Sequence, residues 1–232
     1  MTTVTFGDLT LELRESPRRR TVGITVERDG RLVLACPPGT PPADLERTVD
    51  ASRHWIYSRL AEKEALARPP SRKEYVSGEG LYYLGRSYRL KLVDPVAGRP
   101  ALRLQHGRFE LRRDGQERGR EYFVRWYRVH LLPVLERHIA ALAGRIEARP
   151  AALQVRDLGY RWSSCGKEGT LYFHWRVAML PPAMIEYLVG HELVHLVERR
   201  HTRAFWQRLE RIVPDYAERV RRLAENGVQY DL

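Results

Sequence analysis

Cysteine is almost missing from this chain: Cys36 and Cys165 are the only two in 232 residues. That excludes a disulfide-stapled scaffold, although the sequence leaves a single bridge open. Long hydrophobic runs are missing too. No stretch approaches the about eighteen uninterrupted apolar residues of a membrane span, and residues 1–13 lack the basic start and apolar core of a signal peptide. The expected location is the cytoplasm. There is no glycine-rich phosphate loop, no carboxylate cluster of the kind that holds magnesium, no low-complexity tract and no internal sequence repeat. Acidic residues fall short as well, with 29 Asp and Glu against 40 Lys and Arg, a net charge of +11 carried almost wholly by arginine. Such an excess favours polyanions such as nucleic acid, nucleotides or anionic membrane surfaces. The plainer reading is a generally basic surface, because outside Arg18-Arg19-Arg20 the arginines interleave with glutamates, as in Glu117-Arg118-Gly119-Arg120-Glu121.

What the chain does have is one stretch around which the rest is organised, His191-Glu192-Leu193-Val194-His195, with His201 six residues on. On a helix, residues four apart share a face, so two imidazoles can converge on one metal ion while Glu192, one position round, sits beside it. A straight helix would carry His201 roughly 9 Å beyond His195. The helix must therefore end near residues 198–200, with Thr202 as N-cap of the next helix. Three imidazoles and one open position form the catalytic rather than the structural zinc arrangement. The bare motif also arises by chance; its context decides. Pro181-Pro182 opens the helix. Met184, Ile185, Leu188, Val189, Leu193, Val194, Leu196 and Val197 make it apolar nearly all round, so it is expected to be buried, and buried histidines and a glutamate need a metal or partners.

Upstream, alternation over residues 3–13 predicts a strand pair broken at Gly7-Asp8, and Val22, Ile24 and Val26 with Leu32-Val33-Leu34 predict a hairpin turning at Asp29-Gly30. Thr40 is expected to cap a helix with Leu45, Val49, Ile56 and Leu60 on one face and Trp55 as an anchor, stopped by Pro69-Pro70. Further strands are expected at Tyr75-Val76, residues 81–84 and 88–93, and a hairpin at His106-Gly107. From Gly119 the period turns helical, with Pro133 expected to kink or break it; His130 and His138 read as surface or cap residues. Two more strands, 153–158 and 170–177, flank Arg161-Trp162-Ser163-Ser164-Cys165. The second puts Leu171, Phe173, Trp175 and Val177 on one face and Tyr172, His174 and Arg176 on the other, and could hold an extended peptide by backbone pairing or be an ordinary sheet strand. Cys165 is a small packed residue or a regulatory thiol. The expected fold is α+β, a β-rich part with one long helix over residues 1–100 followed by a metal-binding catalytic part over 101–232.

Several stretches taken together resemble the YgjP-like family of predicted zinc metallopeptidases, related to the SprT-like zincins: Arg18-Arg19-Arg20, Asp29-Gly30, Trp55-Ile56, Leu84-Gly85-Arg86-Ser87-Tyr88, Trp126-Tyr127, Arg161-Trp162-Ser163-Ser164-Cys165, Leu180-Pro181-Pro182, the histidine motif, and His201 with Phe205-Trp206 and Pro214-Asp215-Tyr216. The resemblance implies a zincin-like catalytic half, His191, His195 and His201 as ligands and Glu192 as general base. Ser163 stands where that family usually has glycine and His174 where it has asparagine. Glu198 stands where the metzincins carry glycine, so the turn after the motif must be made differently.

The function expected is that of a zinc metallopeptidase with one Zn²⁺ per chain, acting on a peptide or protein through a metal-activated water, with Glu192 taking the proton and returning it to the leaving amine. Arg161, Trp162, Tyr172, His174 and Tyr216 are candidate substrate-binding residues, all but Trp162 also candidate oxyanion donors. Two alternatives stay open: a metal-dependent nucleotide pyrophosphohydrolase, which the arginine excess favours, and a nucleic-acid-associated protein, either a protease or a module holding its metal structurally.

Overall fold

The alternation at the start of the chain builds a hairpin: β1 (Thr2–Phe6) and β2 (Leu9–Glu15) run antiparallel, with Phe6 opposite Leu9. β3 (Gly23–Val26) and β4 (Leu32–Cys36) form a second antiparallel pair, and β4 joins β2 in parallel, giving the order β1-β2-β4-β3. Helix α1 (Pro42–Leu66) follows. Leu9, Leu11, Leu32, Leu34 and Cys36 form a core with Leu45, Val49 and Ile56. Thr40 is not the cap expected: its hydroxyl donates to the Pro37 carbonyl at 2.7 Å and the helix begins at Pro42. The computed structural model describes residues 2–27, 30–66, 73–159 and 161–232. The turn at Asp29, the side chains of Trp55 and Leu60, and the stop at Pro69-Pro70 lie outside the described residues.

The chain divides into two units, Met1–Arg68 and Pro69–Leu232. The expected division at residue 100 falls inside a second sheet of β5 (Gly80–Tyr83), β6 (Arg86–Val93), β7 (Leu102–Gln105) and β8 (Arg108–Arg112). There β6 and β8 lie side by side in parallel although residue 100 separates them in sequence, and that pairing makes the sheet indivisible. The Tyr75-Val76 strand does not form; Tyr75, at φ +56, stacks on Phe123 instead. The order β5-β6-β8-β7, with its antiparallel, parallel and antiparallel pairings, is the order of the first sheet, and again a long helix follows. A repeat of topology is thus present where the sequence shows none: period-2 patterning needs only the polarity at each position to recur, not the residue.

Helix α2 (Gly119–Ile146) covers the second sheet, with Phe109 edge-on to Phe123 and Trp126. Pro133 does not break it. The carbonyl deprived of its helical partner is that of Val129, on the exposed side of the helix. The third sheet has β9 (Ala152–Arg156), β10 (Ser163–Cys165) and β11 (Thr170–His174) in the order β10-β11-β9. β11 ends at His174 rather than at residue 177, and Trp175–Met179 coil into a 3-10 turn leading to α3 (Pro182–Val197). α4 (Arg203–Ile212) and α5 (Tyr216–Asn226) complete an α+β fold. The turn between β5 and β6 docks where α3 begins: Leu84 N–H bonds the Ala178 carbonyl at 2.8 Å and Gly85 N–H the Met179 carbonyl at 3.0 Å. Gly85 has φ +78, and a Cβ there would lie 2.8 Å from the Pro181 Cα, so both conformation and contact require glycine. No described helix is long and apolar enough to cross a membrane. Both cysteines are free.

Candidate metal centre

α3 is apolar enough to be buried between α2, β10 and α4. His191 and His195 therefore sit one turn apart on a helix whose position is fixed on several sides. Their Nε2 atoms are 3.2 Å apart, and His201 Nε2 is 3.0 Å from that of His191. His201 arrives as the sequence required: α3 ends at Val197, and Thr202 caps α4, its hydroxyl accepting from Phe205 N–H at 3.3 Å. The reversal is made without glycine. Glu198 is extended at φ −132, its N–H closing on Val194 O, and its own carbonyl lies 3.2 Å from Nδ1 of His195.

Spacing and tautomer both fit a divalent ion. Metal–nitrogen bonds of about 2.0–2.1 Å at a tetrahedral angle place two nitrogens roughly 3.3 Å apart. A carbonyl beside Nδ1 of His195 makes that nitrogen the donor and leaves Nε2 as a bare lone pair facing the other rings. Burial, then His195 and His201, push His191 down to about 3, and burial also lowers His195; both shifts favour the neutral form that a ligand needs. Phe205, fully buried, lies beneath all three imidazoles with ring centroids 4.6–4.9 Å away. Trp206 stacks on His201 at 5.5 Å, and Tyr216 stacks on Trp206 at 5.5 Å. Among the described residues this is the one cluster of three or more side chains able to hold a metal; His130 and His138 are not part of it.

Glu192 is 4% exposed. Burial raises its carboxyl to about 7 against the opposing effects of a Ser163 hydrogen bond and the Arg161 charge. Ser163 Oγ donates to Oε1 at 2.7 Å, and Oε2 has no partner among the described residues, so half of the carboxylate remains available. Cys165 is half-buried, its thiol pushed up by burial and by Glu192, which argues for packing rather than reactivity.

The candidate substrate residues divide. Paired residues of neighbouring strands point to the same side of a sheet, so Ser163 and Phe173 share the side facing Glu192, whereas Ser164 and Tyr172 face away. Tyr172 instead stacks under the Arg156 guanidinium at 4.0 Å. His174, on that opposite side, is 2% exposed, with Nε2 3.3 Å from Asp157 and Nδ1 accepting from Arg176 N–H. Both therefore lie on the side of the sheet opposite Glu192. Alternation along 170–177 was correct for the strand but does not say which face meets the helix. β11 is also central, both edges already paired, so it cannot add a peptide; the edge strand beside α3 is β10. Trp162 is half-buried and its carbonyl accepts from His174 N–H, Arg161 is exposed with its charge felt at Glu192, and Tyr216 meets the site through Trp206. Sequence reasoning missed Ser163 and Tyr187. Tyr187 lies four residues before His191, a spacing that could have flagged it, and its hydroxyl is 3.5 Å from the ring Nδ1. Ser163 gave no local signal.

A family model described as YgjP-like, metallopeptidase domain, matches residues 20–226. No curated protein matches. Among solved structures, the crystal structure of the metallopeptidase zymogen of Pyrococcus abyssi abylysin aligns with a TM-score of 0.33 at 20% identity, covering 37% of this chain and 90% of that chain.

Proposed function

Since the chain belongs to the YgjP-like metallopeptidase family, we propose that it is a zinc-dependent peptidase in which His191, His195 and His201 hold the ion and Glu192 is the general base. The observation that carries this reading is the convergence of three imidazole Nε2 atoms beside a buried carboxylate with one free oxygen. A bound ion supplies Lewis-acid polarisation of the scissile carbonyl and acidifies a water. Glu192 takes the proton of the attacking water on Oε2 and delivers it to the leaving amine, while Ser163 holds Oε1 in place. The edge strand β10, tied to the same carboxylate, pairs with the backbone of an extended peptide substrate. Arg161, the candidate nearest Glu192 in charge, steadies the developing oxyanion. A cytoplasmic location agrees with the two free thiols.

Nothing in the geometry favours nucleotide pyrophosphate hydrolysis, because among the described residues no carboxylate cluster accompanies the histidines. The test is hydrolysis of an unfolded protein by the zinc-loaded chain beside Glu192→Gln. Turnover is expected to fall about 10²–10⁴-fold with zinc retained. Equal turnover in the two proteins, or nucleoside triphosphate hydrolysis by the wild type alone, would refute the peptidase reading.

A further inference from the structure

Away from the histidine site, the second unit holds a cavity of about 320 Å³ lined by Lys91, Arg99, Arg103 and Arg112 together with Asp94 and Glu110. None of these residues belongs to α3 or α4. Its strand residues Lys91, Val93, Arg103, Glu110 and Arg112 share one face of the β5–β8 sheet. Leu90, Leu92, Phe109 and Leu111 turn to the core, so the alternate positions turn outward: Arg89, Lys91 and Val93 on β6 lie beside Arg108, Glu110 and Arg112 on β8. Arg103 on β7 lies opposite Glu110 and is paired with it, its Nε donating to Oε2 at 2.7 Å; Arg112 is paired with Asp114. Among the described residues Lys91, Arg99 and Arg108 have no ion-pair partner. Arg89 and Arg108 are register partners, with Arg89 Nη1 donating to the Gly78 carbonyl at 2.7 Å, and like charges side by side on a sheet repel.

We propose that this sheet face is a docking surface for the phosphate backbone of a nucleic acid. Successive outward positions on a strand recur about every 6.6 Å, so Arg89 with Arg108, then Lys91 beside the Arg103–Glu110 pair, stand in a row on the strands, and Arg99 from the loop before β7 lines the same cavity as Lys91; the charge left over on this face is positive and suits a ligand with a repeating negative charge. By register the face includes one aromatic among the described residues, Tyr82 opposite Ser87, and its ring is taken up edge-on against Tyr230 at 5.2 Å, so contacts go to phosphate and are blind to sequence. The molecule supplies its own control. The corresponding face of the topologically identical first sheet carries Thr10, Glu12 and Arg14 on β2 beside Val33 and Ala35 on β4. The fold therefore does not demand this cationic loading.

The experiment is binding of a labelled mixed-sequence oligonucleotide of about 20 nucleotides, longer than the roughly 4–16 that a single OB-fold groove covers, to the full zinc-loaded chain across a salt series. Lys91→Glu with Arg108→Glu is compared with Arg18→Glu with Arg20→Glu, an exposed pair in the first unit with the same change in net charge. The sheet pair is expected to weaken binding by more than tenfold at low salt and to flatten the slope of log affinity against log salt by about one for each lost phosphate contact. The control pair is expected to stay within about twofold. The milder Lys91→Gln with Arg108→Gln, which leaves no new charge on the sheet, is expected to lie between, so that a poorly folded Glu variant leaves the claim testable. Equal losses in the two Glu pairs, no loss in either, a mononucleotide competing as well per phosphate as the oligonucleotide, or vesicles of anionic phospholipid competing through the same residues would each overturn it.

Discussion

Ser163 Oγ donates a 2.7 Å hydrogen bond to Oε1 of the buried Glu192, fastening edge strand β10 to the middle of α3. One contact thus orients the proposed base and fixes the strand against which a substrate would lie. Ser163→Ala is expected to lower kcat about 10-fold with zinc content unchanged, in the range typical of residues that orient a metal-site group. Unaltered kcat would show that packing alone positions the carboxylate.

A carboxyl held near 7 in the folded, metal-free chain must cost stability as pH rises. The folded state keeps its proton up to about pH 7 while the unfolded chain loses it near the ordinary glutamate value of 4.5. Between these values the folded state binds more protons, so stability falls with rising pH, by roughly 3 kcal/mol once the change is complete. Glutamine has no proton to lose. In the presence of chelator, Glu192→Gln should therefore gain on the wild type between about pH 4.5 and pH 7, whatever its offset in acid. Urea denaturation of both proteins at about pH 5 and about pH 8 measures the gain, and a pH-independent difference would mean that Glu192 is not perturbed.

His201 is the one ligand candidate outside a helix, and it is exposed; the Trp206 ring stacked on it at 5.5 Å holds its plane. Trp206→Ala is expected to weaken zinc about tenfold in competition with a chromogenic chelator, with little change in helix content. A strictly unchanged affinity would place the constraint elsewhere, in Phe205 beneath all three rings.

Gly85 sets where α3 starts. Alanine there would carry a Cβ into the Pro181 backbone at 2.8 Å while occupying φ +78. Gly85→Ala is expected to cost about 2 kcal/mol or more in denaturant unfolding. A neutral effect would mean that the turn shifts freely and does not position the metal helix.

These cases show where local sequence information ends. The three-histidine cluster was legible because its geometry is nearly all local: a four-residue spacing on one helix, and a rise per residue that forces the helix to stop before His201. The Thr202 cap and the first strand pair were legible for the same reason. The division between units was not, since the parallel β6–β8 contact joins segments that sequence patterning treats separately. Nor was the facing of Tyr172 and His174, because alternation tells that two faces exist but not which one meets a helix arriving later in the chain. Ser163 was invisible as an orienting residue for that reason too: its partner lies 29 positions away. Pro133 misled because a missing hydrogen bond is cheap on the exposed side of a long helix.

The measurement that bears most directly on the whole account is the zinc content of the purified chain by elemental analysis, with His201→Ala and Glu192→Gln prepared alongside. The account predicts about one zinc per chain in the wild type and in Glu192→Gln, with much less in His201→Ala. Full zinc in His201→Ala would contradict the three-histidine centre, and loss of zinc in Glu192→Gln would make that residue a ligand rather than the base.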